Sequence, residues 1–141
     1  MYKKTITYED YNGVERTEDF WFNLTKAELM KMEMSTQSGM SDLLQKMMRE
    51  SDNKRLTELF EELILNAYGE KSLDGKRFVK SKELSEAFSQ TEAYSELFFE
   101  LATNADSAIA FIKGIIPSSL SAELDKVDKE ELLSGNLLTT K

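Results

Sequence analysis

Twenty-six carboxylates, with no histidine and no cysteine, bound the chemistry this chain can do. The commonest general base, the commonest metal ligand and the reactive thiolate are all missing. Carboxylates alone do acid–base work only as a pair whose pKa values burial drives apart. Most of them fall on polar helix faces, as Glu58, Glu61 and Glu62 do, where charged residues are solvated. Two glycine-containing turns invite a calcium-loop test. Counted from Gly75, the loop opens at Glu70 and closes at Ser81, where a bidentate Glu is required; counted from Gly13, it opens at Tyr8. Both fail and read as ordinary turns. No glycine-rich phosphate cradle and no nucleophile elbow occurs. The sequence names no catalytic residue, no metal ligand and no cofactor, and the chain is expected not to be an enzyme.

Its other conspicuous side chains suit non-covalent contact. Met30 and Met34 lie four apart, and Met40, Met47 and Met48 follow. The flexible thioether adapts to varied apolar partners, and it equally fills cores. Phe98 and Phe99 are adjacent, so a helix cannot turn both the same way. Phe98 belongs to an apolar stripe, while Phe99 lies beside it. Trp21 sits on the less apolar side of a strand. Exposed aromatics anchor interfaces; Trp21 and Phe99 are either contact residues or covered by a neighbouring helix. The candidate partner-binding residues are therefore Trp21, Met30, Met34, Met47 and Phe99.

Positioning these residues requires definite elements. Residues 2–10 and 14–22 are rich in Tyr, Thr, Ile and Phe around Asn12-Gly13, a hairpin signal. A two-residue loop would pair Ile6 with Asp19, and Glu9 with Arg16. A three-residue loop, Tyr11-Asn12-Gly13, pairs Tyr2 with Phe22 and Ile6 with Glu18, and sets Thr7 opposite Thr17. It gathers Tyr2, Ile6, Tyr8, Phe20 and Phe22 on one face. An exposed ion pair is worth less than about 1 kcal/mol. Burying one large apolar side chain is worth roughly 1.5–3 kcal/mol. The longer loop is the expected one, with Gly13 in the left-handed position.

Thr25-Lys26-Ala27-Glu28 is a capping box, with Leu24 and Leu29 as its hydrophobic staple. It predicts a helix from Lys26 to about Met34. A break at 35–39 and a short helix near 41–50 follow. Ser51 or Asn53 caps a helix over about 54–68. Its inward residues are Leu56, Leu59, Phe60, Leu63, Ile64 and Ala67, and Gly69 reads as its C-cap. Residues 71–80 read as a loop with a turn at Asp74-Gly75, in which Phe78 and Val79 form a very short strand or pin the loop to the core. Ser81 caps a helix through Ser89. Thr91 opens another, with Tyr94, Leu97, Phe98, Leu101 and Ala102 on one face. The last helix runs from about Asp106 to Ile115, ahead of Pro117. The fold class is α+β, mainly α: an N-terminal β-hairpin followed by a compact bundle of about five or six short helices. That domain spans 1–117. Residues 118–141 contain no aromatic residue and read as a polar, partly disordered or frayed-helical tail.

The bulk numbers agree. A length of 141 residues suits one modest core. A formal charge of −8, from 26 acidic and 18 basic residues, opposes both phosphate-backbone binding and docking on anionic lipid. Lys3 and Lys4 precede no apolar h-region, so the start does not read as a signal peptide, and no 18-residue apolar run exists. No nucleic-acid partner and no membrane partner is expected, and the cytoplasm is the expected location.

Several runs carry a resemblance. They are Tyr2 to Tyr8, Asn12 to Phe20, Phe22 to Leu29, Tyr68 to Ser72, Gly75 to Phe78, Glu83 to Phe98, and Ala110 to Pro117. Together they resemble the tail assembly chaperones of long-tailed phages and prophages of Gram-positive bacteria. The resemblance covers most of residues 2–117 and transfers no catalytic residue. It implies a late protein that binds the tape measure protein and keeps it soluble while tail tube protein polymerises around it. It also implies a place in the host cytoplasm rather than in the mature virion. The tail tube protein is a further implied partner, and the hairpin edge or the helices offer routes to self-association. The alternative is a small acidic phage protein that binds and inhibits a host factor. Such a protein needs carboxylates in regular stripes, whereas here they alternate with lysines.

Overall fold

Asp10 fixes the first pair of elements. In the computed structural model, which describes residues 1–31 and 53–118, Asp10 Oδ1 accepts from the backbone N–H of Asn12 at 2.8 Å and of Val14 at 3.0 Å. Its Oδ2 accepts from Arg16 Nε at 2.6 Å. Gly13 takes a φ of 80°, the left-handed region that suits glycine. This three-residue loop joins β1 (Tyr2–Glu9) to β2 (Glu15–Phe22). The register is the expected one: Tyr2 meets Phe22, Ile6 meets Glu18, and Thr7 meets Thr17. Arg16, which the shorter loop would give to Glu9, pairs with Asp10 instead, so the favoured register sacrifices no ion pair. Ile6 and Phe22 are buried, with Tyr2, Tyr8 and Phe20 packed beside them on the same face.

Beyond the hairpin the expected end of the next long helix is overturned. Helix α2 (Asn53–Ala67) ends without a glycine C-cap, and the chain passes straight into β3 (Tyr68–Lys71). β3 pairs antiparallel with β2, setting Trp21 opposite Gly69 and Phe22 opposite Tyr68. It then turns at Asp74-Gly75 and pairs with β4 (Phe78–Val79), the short strand foreseen there. Among the described residues the sheet thus has four strands in the order β1-β2-β3-β4. Gly69 serves a close approach: a Cβ there would lie 2.7 Å from both the Phe78 ring and the Val79 carbonyl oxygen.

Three helices start where the expected caps place them, while Asn53, one of the two cap candidates for α2, is itself helical. In α1 (Lys26–Lys31), the Thr25 N–H donates to Glu28 Oε1 at 2.8 Å and the Glu28 N–H donates to Thr25 Oγ1 at 3.2 Å. Leu24 and Leu29 are both buried. Ser81 caps α3 (Lys82–Ser89), Thr91 caps α4 (Glu92–Thr103), and Asn104 caps α5 (Ala105–Ile115). The inward stripe of α4 is Ala93, Leu97 and Leu101, with Tyr94 and Phe98 beside it. Ala102, expected inward, is exposed. In α2, Phe60, Leu63, Ile64 and Ala67 are buried and Glu58, Glu61 and Glu62 are exposed, as their spacing implies. The expected extension of α1 to Met34, the helix at 41–50, the Ser51 cap and the Leu56 side chain lie outside the described residues.

Sheet and helices meet through aromatic rings. Phe88, the buried residue of α3, stacks on Tyr68 with centroids 4.3 Å apart and planes 8° apart. It also meets Phe20 at 5.2 Å, Phe22 at 5.8 Å and Tyr94 at 5.7 Å. Phe22 in turn meets Phe111 of α5 at 5.3 Å, edge to face. A polar pin complements the rings. Lys80 Nζ donates to the Asn23 carbonyl at 2.6 Å, to Glu28 Oε2 at 2.6 Å and to the Asn66 carbonyl at 2.8 Å. That uses all three ammonium protons.

Two substitutions test this packing. Phe88→Ala should cost about 3–5 kcal/mol in urea unfolding, because it empties the space shared by sheet and helices. Gly69→Ala should cost about 1–3 kcal/mol by forcing β4 away from β3.

Candidate functional site

The expected contact residues occupy three different elements. Phe99 stands on α4 with its side chain outward, 68% exposed, while its neighbour Phe98 packs inward near Tyr94. The helical step between adjacent residues produces that split. Beside Phe99 a cleft of about 370 Å³ runs between α4 and the outer strand β1. Lys4 to Thr7 form one wall, and Glu96, Leu97, Phe99, Glu100 and Thr103 form the other. Lys4 Nζ crosses it to Glu100 Oε2 at 2.8 Å.

Trp21 lies on the opposite face of the sheet, half-buried. Lys71 Nζ stands 4.0 Å from its ring centroid and Lys3 Nζ 5.7 Å, so the indole is flanked by two cations. Trp21 lines a shallow groove with Asp19, Gly69 and Glu70. Met30, on α1, is 68% exposed. Met34 and Met47 lie outside the described residues. Trp21 and Phe99 therefore face separate clefts that share no lining residue. Among the other exposed apolar side chains, Tyr11 at the hairpin tip and Leu73, fully exposed in the β3–β4 turn, carried no signal in the sequence. Only the turn placement could have suggested them.

The ionisable groups serve structure. Among the described residues, no three Asp or Glu side chains converge as metal ligands would, and no helix is long and apolar enough to cross a membrane. Burial, with Glu61 nearby, pushes the Tyr94 phenol up to about 12. The hydrogen bond to Glu18 raises Tyr8, with burial adding to it. The Lys4 ammonium holds Glu100 below its ordinary 4.5. Burial works to raise Glu28, but the hydrogen bonds from Lys80 and the Thr25 backbone outweigh it and the net shift is downward. Arg16 and the Val14 backbone lower Asp10.

This is a small α+β protein whose distinctive surface is a set of separate exposed apolar side chains beside ion pairs that fasten one element to another. The chain belongs to the phage tail assembly chaperone family, whose model matches residues 1–136. The match continues past residue 117 into the polar segment. No curated protein and no solved structure matches the chain.

The depressed carboxylates give a signed pH dependence. Their stabilisation is complete above the ordinary carboxylate range and is lost as pH falls through the lower folded values. Thermal stability should hold from neutral pH down to about 5 and decline below about 4.5. Lys80→Met, which removes the cation beside Glu28, should flatten that decline in acid thermal melts.

Proposed function

We propose that this chain binds the tape measure protein, keeps it soluble before the tail tube polymerises, and leaves before the virion is complete. The observation that carries the reading is the family match over residues 1–136. A long, apolar, helical client must be covered by many weak contacts that exchange as the tube advances. Exposed Phe99 and Met30 offer contacts of that kind, and Met34 and Met47 extend the set along the sequence. A net charge of −8 keeps a complex of several copies soluble. On this reading the chain works by binding alone, in the host cytoplasm, with the tail tube protein as a second partner. Residues 1–117 are the working domain and 118–141 a polar tail.

Co-expression with the tape measure protein of the same phage tests the proposal. A soluble multi-copy complex that co-purifies and sizes as one species is expected. Phe99→Ser and Met30→Ser should each lower client recovery several-fold while moving stability by no more than about 0.5 kcal/mol, the range for surface sites. Met34→Ser and Met47→Ser should act in the same direction. A client that precipitates regardless, and never co-purifies, would sink the proposal and favour a host-factor inhibitor, for which host-protein pulldowns are the next measurement.

A further inference from the structure

β1 ends the sheet, and its outer edge has no strand partner among the described residues. Which backbone groups face that edge follows from the ladder. The Asn23 N–H donates to the Ala67 carbonyl on the β3 side, at 2.8 Å. Odd-numbered residues of β2 therefore point their backbone groups toward β3, and even-numbered ones toward β1. Across the ladder, Asp10 and Val14 close the β1–β2 pair through a backbone bond of 2.9 Å. Alternation then turns the N–H and C=O groups of Lys3, Thr5, Thr7 and Glu9 outward.

The side chains of those four residues share the sheet face that carries Trp21, away from the helices. Their order, Lys-x-Thr-x-Thr-x-Glu, is complementary to itself when reversed. Two antiparallel copies centred on Ile6 set Lys3 opposite the second copy's Glu9 and Thr5 opposite its Thr7. Each of these pairs consists of edge-facing residues, so each exchanges both backbone hydrogen bonds. A shift of two residues either way removes both lysine–glutamate pairs.

The charges that would meet are unspent in the single chain. Glu9 sits opposite Glu15, and among the described residues no cation is within ion-pair distance of either. Among the described residues Lys3 meets only the Trp21 ring, at 5.7 Å. The dyad of such a pairing stands perpendicular to the sheet, so both α4 helices fall on one side of it.

We infer that a second copy of this chain occupies the β1 edge, forming a two-fold dimer with one continuous sheet in the Lys3–Glu9 register. Edge addition of this kind supplies main-chain hydrogen bonds for affinity and side-chain pairs for register. The inference does not rest on the identity of the client.

Sedimentation of the full chain, alone, over a concentration series tests it. A monomer–dimer equilibrium is expected, its monomer at 16.2 kDa. Glu9→Lys places lysines opposite each other twice and should weaken dimerisation about tenfold at low salt. Adding Lys3→Glu in the same chain should restore it, a rescue that only this register predicts. Thr5→Pro removes an outward N–H without touching the β1–β2 ladder and should leave only monomer, with circular dichroism confirming the fold. A chain that stays monomeric at every concentration overturns the inference. So does an oligomer indifferent to Glu9→Lys, or a Lys3→Glu/Glu9→Lys chain that behaves like Glu9→Lys alone.

Discussion

The structure depends on giving the hairpin's apolar face something to pack against. Two strands alone are marginal in water, and here the face ends in Phe22, which has no solvent exposure. Phe88 supplies the contact from α3 and Phe111 from α5, so rings from distant segments close over one strand end. Tyr68 extends the same cluster from β3. Each ring touches several others, so the loss of one exposes its neighbours. The polar pins are arranged around this cluster. The hydrogen bond from the Leu24 N–H to the Ile115 carbonyl, at 2.7 Å, and the Lys80 ammonium tie the corner after β2 to α5, α1 and the end of α2.

Much of this was legible in the sequence, because local chemistry and burial agreed. The hairpin register followed from weighing one exposed ion pair against a shared apolar face. Three helix starts followed from Thr25, Ser81 and Thr91, whose side chains had backbone N–H groups to satisfy, whereas the Asn104 cap of α5 was not singled out. β3 was not legible. Tyr68-Gly69-Glu70-Lys71 has one apolar side chain, a glycine and two charges, and it follows a strong helix. It becomes a strand because β2 offers an unpaired edge and because Gly69 admits Phe78, and neither fact is local. For the same reason Gly69 resembled a helix cap. Of the candidate contact residues, the outward position of Phe99 was readable from its adjacency to Phe98. The lysine nearer to Trp21, Lys71, was not readable, since it reaches the ring only through β3.

The surface divides its roles between two kinds of side chain. Lys4–Glu100 and Lys80–Glu28 each join segments far apart in sequence, and they are partly sheltered from solvent. The large apolar residues left outside, Phe99 and Met30 among them, make no comparable structural contribution. On the proposed reading they are free to meet a client because the fold does not need them. The excess negative charge discourages non-specific clustering through those same residues.

Strand β1 and helix α5 come from opposite ends of the described chain, yet they are packed together. Tyr2 meets Phe111 with ring centroids 5.4 Å apart. During synthesis the hairpin emerges before the helices that cover it, and its apolar face is not fully closed until α5 has left the ribosome. Contacts of such long sequence separation form late and slow folding. The nascent chain therefore passes most of its elongation as an unclosed intermediate, and a ribosome that stops short of Ile115 releases a product that cannot seal its own core.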